Sequence, residues 1–267
     1  MTLSLFDRRS VLFLPASNKR AIAKARASEA DLVVLDLEDS VKPEDKDDAR
    51  DAAVAAVVED WPMPVAIRIN GVGSAWHSLD LDAAARSKAA YVVVPRAVSA
   101  HLVRDVAATT GKPVLAMIET AAGVVAAPEI APETAGLIAG TNDLAADLRL
   151  PPDSGRAALG TALQLIVLAA RAAGVAVFDG VFNGLDDDKG MMAEASESRA
   201  LGFDGKSLIH PGQIVPTHEA FAPSEAEIDR ARRLIGAFDG GAERFEDAMI
   251  ERMHVEAAQR LLDRAAR

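Results

Sequence analysis

The sequence predicts a (β/α)8 TIM barrel followed by a C-terminal helical extension, and three observations predict it. Eight short apolar runs recur between Ser10 and His210. Ala-rich amphipathic patterns separate them. Charged and amide side chains gather at the ends of the runs and are almost missing from their starts. Runs that stay apolar over consecutive positions suit strands covered on both faces, and strand alternating with helix suits a parallel sheet. Eight such units suit a closed barrel.

The strands are read at "SVLFLPA" from Ser10, "DLVVLDLED" from Asp31, "PVAIRIN" from Pro64 and "AAYVVVPRA" from Ala89. They continue at "PVLAMIET" from Pro113, "AGLIAGTND" from Ala135, "VAVFDGVFN" from Val175 and "FDGKSLIHP" from Phe203. Between them, "NKRAIAKARASEA" offers Asn18 as an N-cap, and "PEDKDDARDAAVAAVVED" has Pro43 near its first position with acids in the first turn. "TALQLIVLAARAAG" stops at Gly174. A doubly wound open sheet competes, but it usually needs fewer strands. Its Gly-rich phosphate fingerprint is absent, because "NGVGSAW" has Gly71 and Gly73 without a third glycine opening a helix.

After His210 the pattern changes. "PSEAEIDRARRLIGAF" reads as a helix capped by Ser224 with Glu227 in the capping-box position, "GG" at Gly240 as a break, and "FEDAMIERMHVEAAQRLLDRAAR" as a terminal amphipathic helix. The expected organisation is a catalytic barrel over residues 1–220 and a helical extension over 221–267.

Half of the 267 residues are apolar, enough for a sizeable core. The net charge of −11 argues against nucleic acid and anionic membranes. With no cysteine there is no disulfide, thiolate nucleophile or Cys-based zinc site. "MTLSLFDRRSVLFLP" lacks the pattern of a signal peptide, and no apolar run approaches the ~20 residues that span a bilayer. A soluble cytoplasmic protein is expected.

Catalytic groups of such barrels sit at the C-terminal ends of the strands. Read in this way, strand two ends in Asp36, Glu38 and Asp39, strand three carries Arg68 and Asn70, strand four Arg96, and strand five Glu119. Strand six ends in Asn142 and Asp143, strand seven has Asp179 and Asn183, and strand eight has Lys206 and His210. Carboxylates converging on one mouth repel unless a cation joins them. Glu119 and Asp143 end neighbouring strands and suit Mg2+, a hard ion that keeps several waters, with Asp36 and Glu38 as acceptors for those waters. Arg68, inside an apolar strand, needs an anion. Either it forms a structural ion pair with a mouth acid, or, as favoured here, it clamps a substrate carboxylate through two hydrogen bonds, with Asn70 beside it. Lys206 is read as structural rather than as a Schiff base, His210 as a hydrogen-bonded strand end, and His77, His101, His218 and His254 as surface residues.

"RSVLFLPASN", "VVLDLEDSV", "AIRIN", "VVVPRA", "AMIETAAGV", "GTNDLAADL" and "SLIHPGQI" resemble, in order, the signatures of the citrate lyase beta-subunit-like (CitE-like) proteins of the HpcH/HpaI aldolase superfamily. The resemblance runs from Arg9 to at least Phe221. It implies a TIM barrel, a homotrimer or dimer of trimers, and a Mg2+-dependent lyase that makes or breaks a carbon–carbon bond between an acyl-CoA and a 2-oxo acid. It implies Glu119 and Asp143 as metal ligands, Arg68 as the grip on the oxo acid, and Asp36 and Glu38 as acids around the metal waters. "LPASNKR" resembles the segment near the CoA phosphates, which implies contacts from Lys19 or Arg20. The family tail places an Asp in a neighbouring subunit's site for proton transfer; here "EDAMIER" sets Glu251 at that position, which leaves the acid/base assignment open. A CoA thioesterase on the same site, a class II aldolase, a citrate lyase beta subunit that needs an acyl carrier partner, and a non-catalytic ligand-binding protein are the alternatives. The aldolase reading lacks its expected His in "DLEDSVKPED".

Overall fold

Strands of a parallel barrel alternate inward and outward side chains, and that period of two organises this protein. The computed structural model describes residues 4–266; the first three residues of the segment read against a signal peptide, and Arg267, lie outside them. Eight strands close in sequence order: β1 (Ser10–Pro15), β2 (Leu32–Asp36), β3 (Val65–Arg68), β4 (Tyr91–Val94), β5 (Val114–Ile118), β6 (Gly136–Ala139), β7 (Ala176–Asp179) and β8 (Gly205–Leu208). All neighbours pair in parallel, and β8 returns to β1 with Val11 opposite Ser207. Alternate residues fill the interior: Leu32 and Val34, Ala66, Leu115 and Met117, Ala176 and Phe178 belong to one buried cluster.

The outer layer is α1 (Lys19–Arg26), α2 (Lys46–Ala56), α3 (His77–Arg86), α4 (Ala100–Thr110), α5 (Ala121–Ile130), α6 (Thr141–Asp147), α7 (Gly160–Ala173), α8 (Asp188–Leu201) and α9 (Ile214–Phe221). Local chemistry sets many of the ends. Asn18 caps α1, its side chain accepting from the Ala21 N–H at 3.0 Å. Gly174 stops α7 with φ 69°, a left-handed conformation that costs glycine little. Residues 156–173 have the length and apolarity of a membrane span by composition alone. Leu163, Ile166 and Ala170 of that stretch are fully buried, and α7 packs on α5, β6 and β7 as a barrel helix does.

The chain divides into two compact units, residues 1–220 and 221–267. The second holds α10 (Glu225–Ala237), the antiparallel pair β9 (Glu243–Phe245) and β10 (Ala248–Ile250), and α11 (Arg252–Ala265). The Ser224–Glu227 capping box is present. The single long terminal helix read from Phe245 onward is not: a hairpin turns at Glu246, whose φ is 56°. Phe245 and Ile250, five residues apart, would point to different sides of a helix; the hairpin buries both with Ala231, Leu234 and Ala258.

Two polar residues expected at the mouth face outward instead. Asp179 shares the parity of Val177 rather than that of Phe178, and its register partner is Lys206. Both are fully buried between strands and helices. Lys206 Nζ donates to Asp179 Oδ2 at 2.8 Å, to the Gly180 carbonyl at 2.6 Å and to Glu194 at 2.7 Å. Arg156 and Ser198 also donate to Asp179. Burial alone would raise the Asp179 pKa, but Lys206, Arg156 and these hydrogen bonds outweigh it and hold the carboxyl below its usual range. Two histidines expected at the surface are also engaged. His77 donates from Nδ1 to the Asn70 carbonyl at 2.7 Å. His218 places Nε2 at 2.8 Å from Ser10 Oγ and 3.2 Å from Asp31 Oδ2, at the start of β1 and just before β2.

Removing one member of a buried ion pair leaves the other uncompensated. Lys206→Met is therefore expected to lower the unfolding free energy by about 3 kcal/mol or more in urea titrations. A loss below about 1 kcal/mol would show that Arg156 alone neutralises Asp179.

Candidate active site

The inward parity of β2, β3 and β5 ends in a charged residue. After Leu32 and Val34 comes Asp36; after Ala66, Arg68; after Leu115 and Met117, Glu119. These three line a cavity of about 430 Å³ with Phe13, Asp39 and Asp143. Asp36 and Arg68 stand opposite each other in the β2–β3 register. Arg68 donates from Nε to Asp36 Oδ1 at 2.6 Å and from Nη2 to Oδ2 at 2.7 Å, a two-point pair in which Asp36 is 1% exposed. The Asp36 oxygens also accept from the Glu38 and Ser40 N–H groups and the Ser40 hydroxyl. Burial alone would raise the Asp36 pKa, but Arg68 and these donors hold it low; the same pair raises the Arg68 pKa against the pull of burial.

This corrects two expectations. Asp36 has no oxygen left for a metal-bound water, because Arg68 and the strand-end turn engage both. Arg68 is at once the structural ion pair and a candidate clamp: Asp36 takes its Nε–Nη2 edge, Nη1 donates to Met117 Sδ at 3.7 Å and lies 3.0 Å from Glu38 Oε2, and a ligand at the Nη1–Nη2 end would share Nη1 with them. The Phe13 ring lies 5.5 Å from the guanidinium carbon and supports that orientation.

Glu38 Oε2 lies 3.0 Å from Arg68 Nη1 without hydrogen-bond alignment and is otherwise unpartnered. Burial pushes Glu38 up to about 8; Arg68 opposes the shift, and Asp39, Glu119 and Asp36 add to it. It stands beside Arg68 but is not among the residues that line the cavity.

Asn70 has a different task from the substrate contact expected of it. It is 3% exposed. Its amide donates to the Leu37 carbonyl at 2.8 Å and to Asp80 at 2.6 Å, and its oxygen accepts from Lys46 Nζ at 2.7 Å. Lys46 also donates to the Leu37 and Glu38 carbonyls at 2.7 Å each, so a buried lysine from α2 pins the "DLEDS" turn from behind. Sequence reasoning missed Lys46 and Asp80; "LDLDAAA" carries two acids, Asp80 and Asp82, and nothing in the segment itself marks Asp80 as the buried one.

Glu119 is 1% exposed. Its Oε1 accepts from the Arg96 N–H at 2.7 Å, while Oε2 is buried with no hydrogen-bond partner. Arg96, expected at the end of strand four, meets the acid through its backbone N–H, with a left-handed φ of 46°. Asp143 comes from the first turn of α6 rather than from a strand end, and it lines the same cavity. Burial pushes Glu119 up to about 7; the Arg96 N–H and Arg68 oppose this, and Asp143 and Asp39 add to it. A buried carboxylate oxygen without a donor, beside a second acid, fits a hard divalent cation. Among the described residues no three acids or histidines form a metal-holding group, so such an ion would take two protein ligands and keep its waters.

The other expected residues are not among those that line this cavity. Lys19 and Arg20 open α1, and Lys19 lines a groove beside α2 whose wall includes Asp45, Asp48 and Asp51. Glu251 is the exposed N-cap of α11, its N–H donating to His254 Nδ1 at 3.0 Å. His210 accepts from the Gly212 N–H at 3.1 Å.

Without metal, Glu119 and Glu38 bind protons more tightly folded than unfolded. The stability this supplies is complete below the ordinary glutamate value near 4.5 and is lost as pH rises through about 7 and about 8. Asp36 and Asp179 shift the other way, and their effect changes only at lower pH. Melting temperatures in EDTA are therefore expected to fall between about pH 5 and pH 8, and Glu119→Gln to remove the part of the fall that ends at about pH 7. A profile unchanged by that substitution contradicts the assignment.

A family profile described as HpcH/HpaI aldolase/citrate lyase matches residues 9–211, and one described as a C–C bond lyase of the TIM-barrel fold matches residues 156–267. The chain is 41% identical over 270 residues to a (3S)-malyl-CoA thioesterase of Cereibacter sphaeroides, covering 96% of this chain and 94% of that protein. It is 33% identical over 278 residues to the citrate lyase subunit beta of Leuconostoc mesenteroides subsp. cremoris, covering 96% and 92%. The crystal structure of the protein CitE from Mycobacterium tuberculosis in complex with magnesium, acetoacetate and coenzyme A matches with a TM-score of 0.88 at 35% identity, covering 97% and 98%. The closed barrel, the inward acids and these matches agree: the chain belongs to the HpcH/HpaI aldolase/citrate lyase family.

Proposed function

We propose that the protein is a magnesium-dependent carbon–carbon lyase. Its substrate is a 3-hydroxyacyl-CoA with a carboxylate on the carbinol carbon, such as malyl-CoA or citryl-CoA. Its products are an acyl-CoA and a 2-oxo acid. The observation that carries this reading is Glu119 Oε2, buried and without a donor, in a cavity shared with Asp143 and Arg68. The CitE relative with magnesium, acetoacetate and coenzyme A supports it.

Glu119 and Asp143 would hold the ion. When bound, magnesium supplies positive charge that lowers the pKa of the substrate hydroxyl and offsets the nearby carboxylates. Arg68 offers its Nη1–Nη2 end to the carboxylate of the oxo acid, held in plane by Asp36. A base takes the hydroxyl proton, the carbinol oxygen becomes the carbonyl of the 2-oxo acid, the bond from the carbinol carbon to the carbon α to the thioester breaks, and its electron pair passes to the thioester enolate. The α-carbon of that enolate then takes a proton, which we assign to Glu251 of a neighbouring copy in a homotrimer. Lys19 and Arg20 are our candidates for the CoA phosphates. The setting we propose is the cytoplasm, because charged CoA esters do not cross bilayers.

Thioester hydrolysis is the second reading, favoured by the 41% identity to malyl-CoA thioesterases. Incubating malyl-CoA with the protein and magnesium separates the two. Acetyl-CoA with equimolar glyoxylate supports the lyase, and free thiol with malate and no oxo acid supports hydrolysis.

Glu119→Gln and Asp143→Asn are each expected to lower magnesium-dependent kcat by about 100-fold or more and to remove the calorimetric heat of magnesium binding. Wild-type rates in either variant would refute the ligand assignment. Arg68→Lys is expected to raise the KM for the oxo acid in condensation by about tenfold or more, because a point charge loses the fork. An unchanged KM would limit Arg68 to its ion pair with Asp36.

A further inference from the structure

Asp143 reaches the cavity from a helix of only seven residues whose N-cap, Gly140, offers no capping side chain. So short a helix is marginal alone, and tertiary contacts must hold its first turn. Three such contacts are present. Gly140 lies so close to Glu119 that a Cβ there would stand 2.4 Å from Glu119 Oε2. Thr141 lies against Gly180, where a Cβ would stand 2.2 Å from Thr141 Oγ1 and 2.5 Å from Cγ2. Asn142 and Asn183 exchange two amide hydrogen bonds, 3.2 Å from Asn142 Nδ2 and 2.9 Å from Asn183 Nδ2.

Gly180 and Asn183 lie in the run that follows β7, and this run is itself anchored. The buried Lys206 ammonium donates to the Gly180 carbonyl at 2.6 Å, and Gln213 donates to the Phe182 carbonyl at 2.9 Å. The outward charge network of β7 and β8 thus connects to the turn that carries Asp143 through a run whose Val181, like Thr141 and Asn142, also lines the cavity.

We infer that Gly180 and Asn183 are positioning residues that fix Asp143 relative to Glu119, through Thr141 and Asn142, and thereby set the affinity of the two-carboxylate site for a divalent cation. The inference rests on the proposed reading of Glu119 and Asp143 as metal ligands. Two ligands at the ends of different elements bind one ion well only if their separation is held. Substitutions behind metal ligands typically cost about 10–100-fold in affinity.

The test measures magnesium dissociation constants by titration calorimetry, with melting temperature in EDTA as the folding control. Gly180→Ala is expected to weaken magnesium binding about tenfold or more by pushing Thr141 away. Because that variant can also destabilise the barrel, the exposed amide pair supplies a cycle: Asn142→Ala, Asn183→Ala and the double variant. Each single is expected to raise the dissociation constant severalfold at unchanged melting temperature in EDTA, and the double no further than either single. Singles with wild-type magnesium affinity, or losses that multiply in the double, overturn the inference. A wild-type protein that binds no magnesium overturns the metal reading itself and this inference with it, which is a distinguishable result.

Discussion

Charge that points into a closed parallel barrel has neither water nor a free edge to satisfy it, so it must be neutralised by other inward-pointing charge. The Arg68–Asp36 pair is how this protein meets that constraint. Adjacent strands bring the two residues to one register position, and the two-point geometry with Ser40 and the Glu38 N–H accounts for both carboxylate oxygens. Below the pair lie apolar layers; above it lies the cavity. The guanidinium is the positive wall of the mouth, and everything else polar at that end is arranged around it.

The pair uses up Asp36 but does not balance the mouth. Glu38 and Glu119 remain, each with a buried oxygen that receives no hydrogen bond, and both are pushed up toward neutrality by burial. An acid kept so close to its protonated form is under-neutralised, which is the electrostatic form of a site awaiting a cation or a proton. Glu119 faces the cavity with Asp143 beside it, whereas Glu38 stands beside the arginine. In the proposed reading the first would meet a metal, and the second stands beside Arg68.

Much of this was legible in the residue pattern. The eight apolar runs, the Asn18 and Ser224 caps and the stop at Gly174 all follow from local rules, and the structure has them. The polar strand ends were legible as a group. Their division was only half read: Asp179 and Lys206 carry the outward parity, visible as a one-residue offset from Phe178, and so belong to a structural network. Asn70 lies past the end of β3, where alternation no longer says which way a side chain points, and Lys46 and Asp80 take it. The hairpin at Glu246 was hidden because "FEDAMIER" fits a helix by propensity, while the burial of Phe245 and Ile250 together favours the turn.

By itself the sequence determined the barrel, the end of it where polar side chains gather, and which acids and arginine share that end, because strand period, helix caps and motif order are local properties written along one chain. Only the tertiary structure decided which of those charges neutralise one another. That Asp36 holds Arg68, that the Arg96 backbone holds one oxygen of Glu119 and leaves the other bare, and that Asp143 stands on a short helix wedged against Gly180 depend on register between strands and on contacts among residues up to 41 positions apart. Electrostatic pairing is set by distance in space, and the chain acquires those distances only when it closes.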